Sequence, residues 1–305
     1  MKRQYFSYDK DGFYGAYYEN PKGSSAAIIS MAGDNADDIL AKAAVKWLHD
    51  KGVNVMAMSP AKNCYDHLNY VLERFERAIK WLKANGNQRI GIMGASTTGM
   101  SALTAASYFD DITLTVAMTA SDFIMEGFYT KDGLERPGDN GESSLSINGE
   151  PLKYLPFAYR HPEYAQALKD EAKAKGNMVA SREMFDKSEE LHPVTEDEKI
   201  KIENIKGRVI VIGAEDDCLW DTCRYMRRMQ KRLDEKPHDA YWDFMFFEHG
   251  THFVFPEGMM KKILPVGSSI VTSVAFKEGR LHKKECKQAR IDIDNELTGA
   301  IVAWG

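Results

Sequence analysis

Apolar residues in this chain fall into short unbroken runs, separated by stretches where they recur every third or fourth position. Ala26-Ala-Ile-Ile-Ser-Met31, Val53-Asn-Val-Met-Ala-Met58, Ile112-Thr-Leu-Thr-Val-Ala-Met118, Arg208-Val-Ile-Val-Ile-Gly213 and Tyr241-Trp-Asp-Phe-Met-Phe-Phe247 are of strand length. Such runs lack the alternation of a half-exposed strand and predict strands buried on both faces. Between them, Ile39, Leu40, Ala43, Ala44, Trp47 and Leu48 mark one helical stripe, with Asn35 as its expected cap. Leu68, Val71, Leu72, Phe75, Ile79 and Leu82 mark a second, starting at Asp66. Further helices are expected at about 221–234 and from His282 to Trp304. Strands alternating with helices predict βαβ crossovers and a mostly parallel sheet. The start of the chain differs: aromatic runs at 5–8 and 13–18 flank Asp9-Lys-Asp-Gly12, the signature of a β-hairpin.

The alternation breaks from about Ser121 to Ile205. That stretch holds turn-rich Arg136-Pro-Gly-Asp-Asn-Gly141, a polar helix near 163–175 and a capping box, Thr195-x-x-Glu198, but no run suited to a central strand. We expect one domain over residues 1–305, with 121–205 as a cap-like insertion lying over the sheet.

Composition narrows the function classes. A 305-residue chain with 44% hydrophobic residues can bury a full core. A net charge of −5 argues against a general nucleic-acid binder. No apolar run approaches the ~20 residues of a membrane span, and Met1-Lys-Arg-Gln-Tyr leads straight into an alternating pattern, so no leader is expected. Cys64, Cys218, Cys223 and Cys286 show no C-x-x-C spacing, which points to free thiols in a reduced, cytoplasmic setting. Self-association is left open.

The candidate chemistry starts at Arg89-Ile-Gly-Ile-Met-Gly-Ala-Ser-Thr-Thr-Gly-Met-Ser-Ala-Leu103, a strand running into a small-residue helix. Ser96 stands at the bend, where a reversing backbone pushes the hydroxyl out of the sheet, as in a nucleophile elbow. Gly94 suits the close approach of helix and strand. Thr98, however, stands where the G-x-S-x-G pattern has glycine, and Gly99 comes one residue late. A serine needs a base, and the base a partner that fixes its tautomer. Strand 208–213 runs into Glu215, Asp216 and Asp217; strand 241–247 runs into His249 and His252. The order Ser, acid, His is that of the α/β-hydrolase fold: an α/β protein with a mostly parallel eight-stranded sheet, an N-terminal β-hairpin and helices on both faces.

Ile212-Gly-Ala-Glu-Asp-Asp-Cys-Leu-Trp220 resembles the acid loop of the C-terminal catalytic domain shared by acyl-CoA thioester hydrolases and bile acid-CoA:amino acid N-acyltransferases, a family similar to dienelactone hydrolases. That loop reads roughly Gly-Glu-Asp-Asp-x-x-Trp, its second aspartate catalytic. Anchoring on Leu219 and Trp220 carries the role to Asp217, the assignment favoured here; anchoring on Gly213 by a G-x-x-D spacing carries it to Asp216, the alternative. Gly250-Thr-His-Phe-Val-Phe-Pro256 resembles the family's Gly-x-His ending, which assigns the base to His252, with His249 second. The elbow carries over to Ser96, while Thr98 departs from the pattern and Ala214 replaces the family's loop glycine. The family's eukaryotic thioesterases bear an extra N-terminal β-domain, which is not expected in this sequence. The N-acyltransferase branch uses cysteine as nucleophile and is less similar.

The resemblance implies hydrolysis of an acyl thioester through an acyl-enzyme, with no cofactor and no metal. Carboxylic esters or acyl-peptides suit the same residues. The oxyanion would bind the backbone N–H of Thr97 and, from the loop after strand 26–31, that of Asp34, beside Gly33. Trp220 and Phe253 are candidates for the acyl pocket, and Lys169, Lys173 and Lys175 for the phosphates of a CoA substrate. Plainer readings stand beside these. Ser96 could serve helix–strand packing alone and Asp216 and Asp217 a turn and helix cap, giving a non-catalytic homologue that binds a ligand. The three lysines suit a solvated helix face. Asp34, Asn35, Asp37 and Asp38 lack the glycine and distal glutamate of a calcium loop, and Tyr241, Trp242, Phe244, Phe246 and Phe247 read as buried strand.

Overall fold

The unbroken apolar runs all enter one eight-stranded sheet, four of them as inner strands, in the computed structural model, which describes residues 3–32, 35–59, 66–131 and 134–305. In chain order the strands are β1 (Arg3–Phe6), β2 (Gly15–Tyr18), β3 (Ala26–Met31), β4 (Asn54–Met58), β5 (Arg89–Ala95), β6 (Ile112–Met118), β7 (Arg208–Ala214) and β8 (Tyr241–Phe247). Across the sheet they lie in the order β1-β2-β4-β3-β5-β6-β7-β8. β3 to β8 run parallel, whereas β2 is antiparallel to both β1 and β4. The sheet is therefore mixed at one edge and parallel where the candidate residues lie. The opening hairpin forms, but a single helical turn (Tyr8–Asp11) joins its strands.

Alternate residues of each inner strand feed two apolar layers, which is why these runs carry so few polar positions. Ala27 and Ile29 of β3 face one layer with Val209 and Val211 of β7; Ile28, Ile210 and Ile212 face the other. Helices α1 (Ile39–His49), α2 (Glu73–Ala84) and α3 (Thr97–Tyr108) follow β3, β4 and β5. α3 is buried on all sides, and its small residues let strands and helices close around it.

The segment after β6 contributes nothing to this sheet. Phe128–Lys131 pairs with Leu134–Pro137, and Leu145–Ile147 pairs with Glu150–Pro151 and with Tyr70–Val71. Helices α4 (Glu163–Lys175) and α5 (Arg182–Leu191) complete it. α6 (Thr222–Glu235) then links β7 to β8. After β8 come α7 (Glu257–Ile263), α8 (Ser269–Ala275), α9 (Lys277–Leu281) and α10 (Lys283–Trp304).

Four local expectations are corrected. α2 starts at Glu73, not near Asp66, because the Tyr70 and Leu72 N–H groups donate to the Ser144 and Ser146 carbonyls at 2.8 and 2.9 Å. Pairing with a segment over 70 residues away replaces the first helical turns. The cap of α1 is Asp38, whose carboxylate accepts from Ala41 N at 2.8 Å, rather than Asn35. Glu198 does accept from Thr195 N at 2.7 Å, yet no helix follows, since Lys199 bridges to Phe123. Finally, β8 is an edge strand: Tyr241 is 65% exposed and Trp242, Phe244 and Phe247 only part-buried. Among the described residues, no helix is long and apolar enough to cross a membrane.

Candidate active site

β5 ends at Ala95 and α3 begins at Thr97, so Ser96 alone turns the backbone, at φ 60° and ψ −131°. That conformation costs a residue with a Cβ about 1–3 kcal/mol, and neighbouring bonds hold it. Ser96 N–H donates to the Met118 carbonyl at 2.8 Å, and the Ser96 carbonyl accepts from Met100 N–H at 3.0 Å. The elbow closes only because Gly94 lacks a side chain: a Cβ there would lie 2.1 Å from the Thr98 carbonyl oxygen. Ser96 stays partly exposed.

Thr98, the departure from the pattern, is built into this bend. Its hydroxyl donates to the Ala95 carbonyl at 2.7 Å, with the Met31 carbonyl a second acceptor at 3.1 Å, and accepts the Ala95 N–H at 3.0 Å. It thus ties the end of β5 to itself and to β3. Thr98→Val preserves shape but strips these bonds from buried backbone, and should cost about 1–3 kcal/mol of stability. Urea unfolding checks this; an unchanged midpoint would mean the hydroxyl is incidental.

The carboxyl ends of β7 and β8 bring an acid and an imidazole together. Asp217, 1% exposed, places Oδ1 and Oδ2 each 2.9 Å from His252 Nδ1. The same carboxylate accepts Leu219 N–H at 2.9 Å and the Thr222 hydroxyl at 2.5 Å, so four contacts fix its plane. Asp216 points elsewhere. Its Oδ1 accepts the Gly250 and Thr251 N–H groups at 3.0 and 2.7 Å, and its Oδ2 lies 3.4 Å from His249 Nδ1. Burial pushes the Asp216 carboxyl up from its ordinary value, against the pull of those amides. His249 stacks on His282 with ring centres 3.5 Å apart, and neither lines the cavity described next.

His252 is 3% exposed, and its Nε2 is buried with no hydrogen-bond partner among the described residues. A buried imidazole nitrogen left unpaired is unusual. It borders a cavity of about 630 Å³ that Ser96, Thr97, Trp220 and Phe253 also line, within the usual range for small-molecule sites. The rest of the wall is mostly apolar. Met125, Phe157 and Phe185 come from the segment after β6, and Met259 and Ile263 from α7. Lys169 reaches the cavity as well, whereas Lys175 pairs with Glu183 at 2.9 Å. Gly33 and Asp34, the expected second oxyanion donor, lie outside the described residues, as does Cys64. Burial, with Asp217 beside it, pushes the Cys218 thiol up to about 12, which keeps it from acting as a thiolate next to the site.

Three contributions escaped the sequence. Thr222 reads as the start of a helix, not as a donor to Asp217. Thr119 and Thr251 hold φ values of 44° and 61°; Thr119 takes Trp220 Nε1–H on its carbonyl at 3.0 Å, which stands the indole edge-on to the His252 ring at 5.1 Å. The short helices α7, α8 and α9 were also missed, although Pro256 before an apolar Met259, Met260, Ile263 spacing is a faint start signal.

The sequence profile of the family described as BAAT / acyl-CoA thioester hydrolase C terminal matches residues 70–259, a span holding Ser96, Asp217 and His252. No curated protein sequence matches the chain. Among solved structures, a provisionally assigned esterase from Staphylococcus aureus gives a TM-score of 0.51 at 13% identity, covering 96% of this chain and 83% of its own. An esterase from Pyrococcus furiosus gives 0.49 at 14%, over 94% and 92%. A monoacylglycerol lipase from Paleococcus ferrophilus gives 0.47 at 13%, over 96% and 99%. At such identity the Staphylococcus likeness speaks for the fold, that of the α/β-hydrolases, and for nothing finer.

Proposed function

The chain belongs to the BAAT / acyl-CoA thioester hydrolase C-terminal family and is a hydrolase acting on ester bonds; from that premise we propose that Ser96, His252 and Asp217 form a triad that cleaves an acyl thioester through an acyl-enzyme. One observation carries this reading. The His252 imidazole is gripped at Nδ1 by Asp217, while its Nε2 stays buried and unbonded beside the cavity that Ser96 lines.

The chemistry follows from that arrangement. Asp217 accepts the Nδ1 proton, so Nε2 keeps its lone pair and serves as base. Nε2 takes the Ser96 hydroxyl proton as Oγ attacks the acyl carbonyl. The oxyanion that forms accepts the Thr97 N–H, which opens α3 and lacks an intrahelical acceptor. Collapse breaks the bond to the leaving thiolate, which receives the proton from Nε2. Water then gives a proton to Nε2 and attacks the acyl-Ser96 carbonyl; the second collapse releases a carboxylic acid and returns the proton to Ser96. Thr98 fits the reading, since its side chain braces the elbow that a glycine would leave open.

The apolar cavity favours an acyl chain over a peptide. Each methylene buried is worth about 0.8 kcal/mol, so kcat/KM should rise about fourfold per added carbon until the cavity is full. A chain-length panel of acyl-CoAs, run beside matched simple esters and acyl-peptides, tests both halves. Rates independent of chain length, or highest on acyl-peptides, would overturn the acyl-pocket reading. Simple esters outrunning every thioester would make this a carboxylesterase.

A further inference from the structure

One helix and two loops at the cavity rim turn large apolar side chains toward water. Ile270 and Val274 on α8 are 57% and 56% exposed, and Val266 just before it is 89% exposed. A spacing of four puts Ile270 and Val274 on one helix face, next to Val271, which lines the cavity. Met178 and Val179, 66% and 47% exposed, extend the patch and line the same cavity; Met178 N–H donates to the Ala275 carbonyl at 2.8 Å. Scattered exposed apolar residues need no explanation, but a contiguous set around one apolar opening does.

Two cations adjoin this patch, and further basic residues follow in the same stretch of chain. Lys277 and Arg280 meet beside Gly176, where the Arg280 guanidinium donates to the Gly176 carbonyl at 2.6 Å and lies 3.4 Å from that of Val274. From residue 257 to 287, Lys261, Lys262, Lys277, Arg280, Lys283, Lys284 and Lys287 stand against Glu257, Glu278 and Glu285, in a chain of net charge −5. All seven basic residues are exposed; Lys262 pairs with Asp50 at 2.5 Å and Lys261 lies 4.0 Å from Glu257, which is itself buried against Arg290 at 3.0 Å, so the excess rests on Lys277, Arg280, Lys283, Lys284 and Lys287. Exposed apolar side chains set among lysines and arginine suit the boundary of an anionic bilayer. A second copy of the chain meeting this face symmetrically would set positive charge on positive charge.

We propose that this rim docks on an anionic lipid surface, beside which the cavity opens. The site goes beyond the triad reading and is tested separately from it. Wild type, Ser96→Ala, Ile270→Asp/Val274→Asp and Lys277→Glu/Lys284→Glu would be sedimented with vesicles of phosphatidylcholine, with and without phosphatidylglycerol. None of Ile270, Val274, Lys277 and Lys284 lines the cavity. Wild type and Ser96→Ala should both bind the anionic vesicles at least ~10-fold more tightly than neutral ones, and less so in high salt. Each double variant should lose on the order of 10-fold or more of that binding, while turning over a short soluble ester at the wild-type rate. The proposal is overturned if anionic vesicles are not preferred, if both variants bind like wild type, or if wild type is a dimer that the apolar variant splits. Binding by Ser96→Ala keeps this result independent of whether the triad assignment stands.

Discussion

Replacing Ser96 with alanine is expected to lower kcat by on the order of 10⁶ while leaving the protein folded. The size follows from the serine and its base acting as one unit: without the hydroxyl no acyl-enzyme forms, and what remains comes from the oxyanion donors and substrate binding. The fold should survive because the turn at residue 96 is held by backbone bonds to Met118 and Met100 and by the Thr98 hydroxyl, none of which uses the Ser96 hydroxyl. Labelling by a fluorophosphonate, steady-state turnover and urea unfolding together make the test. Wild type should label, the variant should not, and the two midpoints should agree within about 1 kcal/mol. If wild type neither labels nor hydrolyses an ester, the cavity only binds a ligand; if the variant keeps its turnover, the nucleophile is another group.

Asp217→Asn should lower kcat about 10⁴-fold, and Asp216→Asn less than about 10-fold. The two adjacent carboxylates differ because their partners differ. Asp217 receives donors on both oxygens: the Leu219 amide and His252 Nδ1 on one, the Thr222 hydroxyl and the same Nδ1 on the other. Asparagine has a single acceptor oxygen, so its NH₂ must face one of these donors. Turned toward Nδ1 it forces the other imidazole tautomer, and Nε2 then carries a proton and no longer works as a base. Asp216 uses Oδ1 for both the Gly250 and Thr251 amides, which an asparagine oxygen accepts equally well. Because burial already raises the Asp216 carboxyl toward its neutral form, losing that charge should cost little stability. Measuring kcat beside the urea midpoint for both variants separates catalysis from folding. A large kcat loss in Asp216→Asn with a mild one in Asp217→Asn would transfer the role to Asp216.

Much of the fold was legible because its strands are continuous apolar runs. β3, β6 and β7 are buried on both faces, so nearly every position had to be apolar, and their boundaries could be read to within a residue. The run at β8 misled for the same reason: its aromatics matched a buried strand, while its position at the sheet edge depends on where β7 ends up. α2 was drawn too long because Leu68 and Val71 continue its 3.6-residue period, and only the bonds of 67–72 to Phe128 and to 143–146 take them out of the helix. The helices α7 to α9 were missed because they are one to two turns long, too short to show a period. They are held instead by distant groups such as Arg290, buried against Glu257 and bonded to Ser269.

The candidate site divides along the same line. The strand–Gly–x–Ser–helix sequence around Ser96, the acids after strand 208–213 and the histidines after strand 241–247 are local facts, set by residue type and chain order. Which carboxylate meets which histidine was not among them. Asp216 and Asp217 are neighbours with the same chemistry, and the turn over 214–217, closed by the Asp217 N–H on the Ala214 carbonyl at 3.3 Å, decides which meets His252 and which holds the Gly250 and Thr251 amides. That arrangement is fixed by Thr222 at the head of α6 and by the loop amides of Gly250 and Thr251, parts of the chain that meet only once the sheet has closed. The apolar cavity has the same origin, since its walls come from segments near residues 96, 125, 178, 220 and 260, and no sequence period links stretches brought together by burial alone.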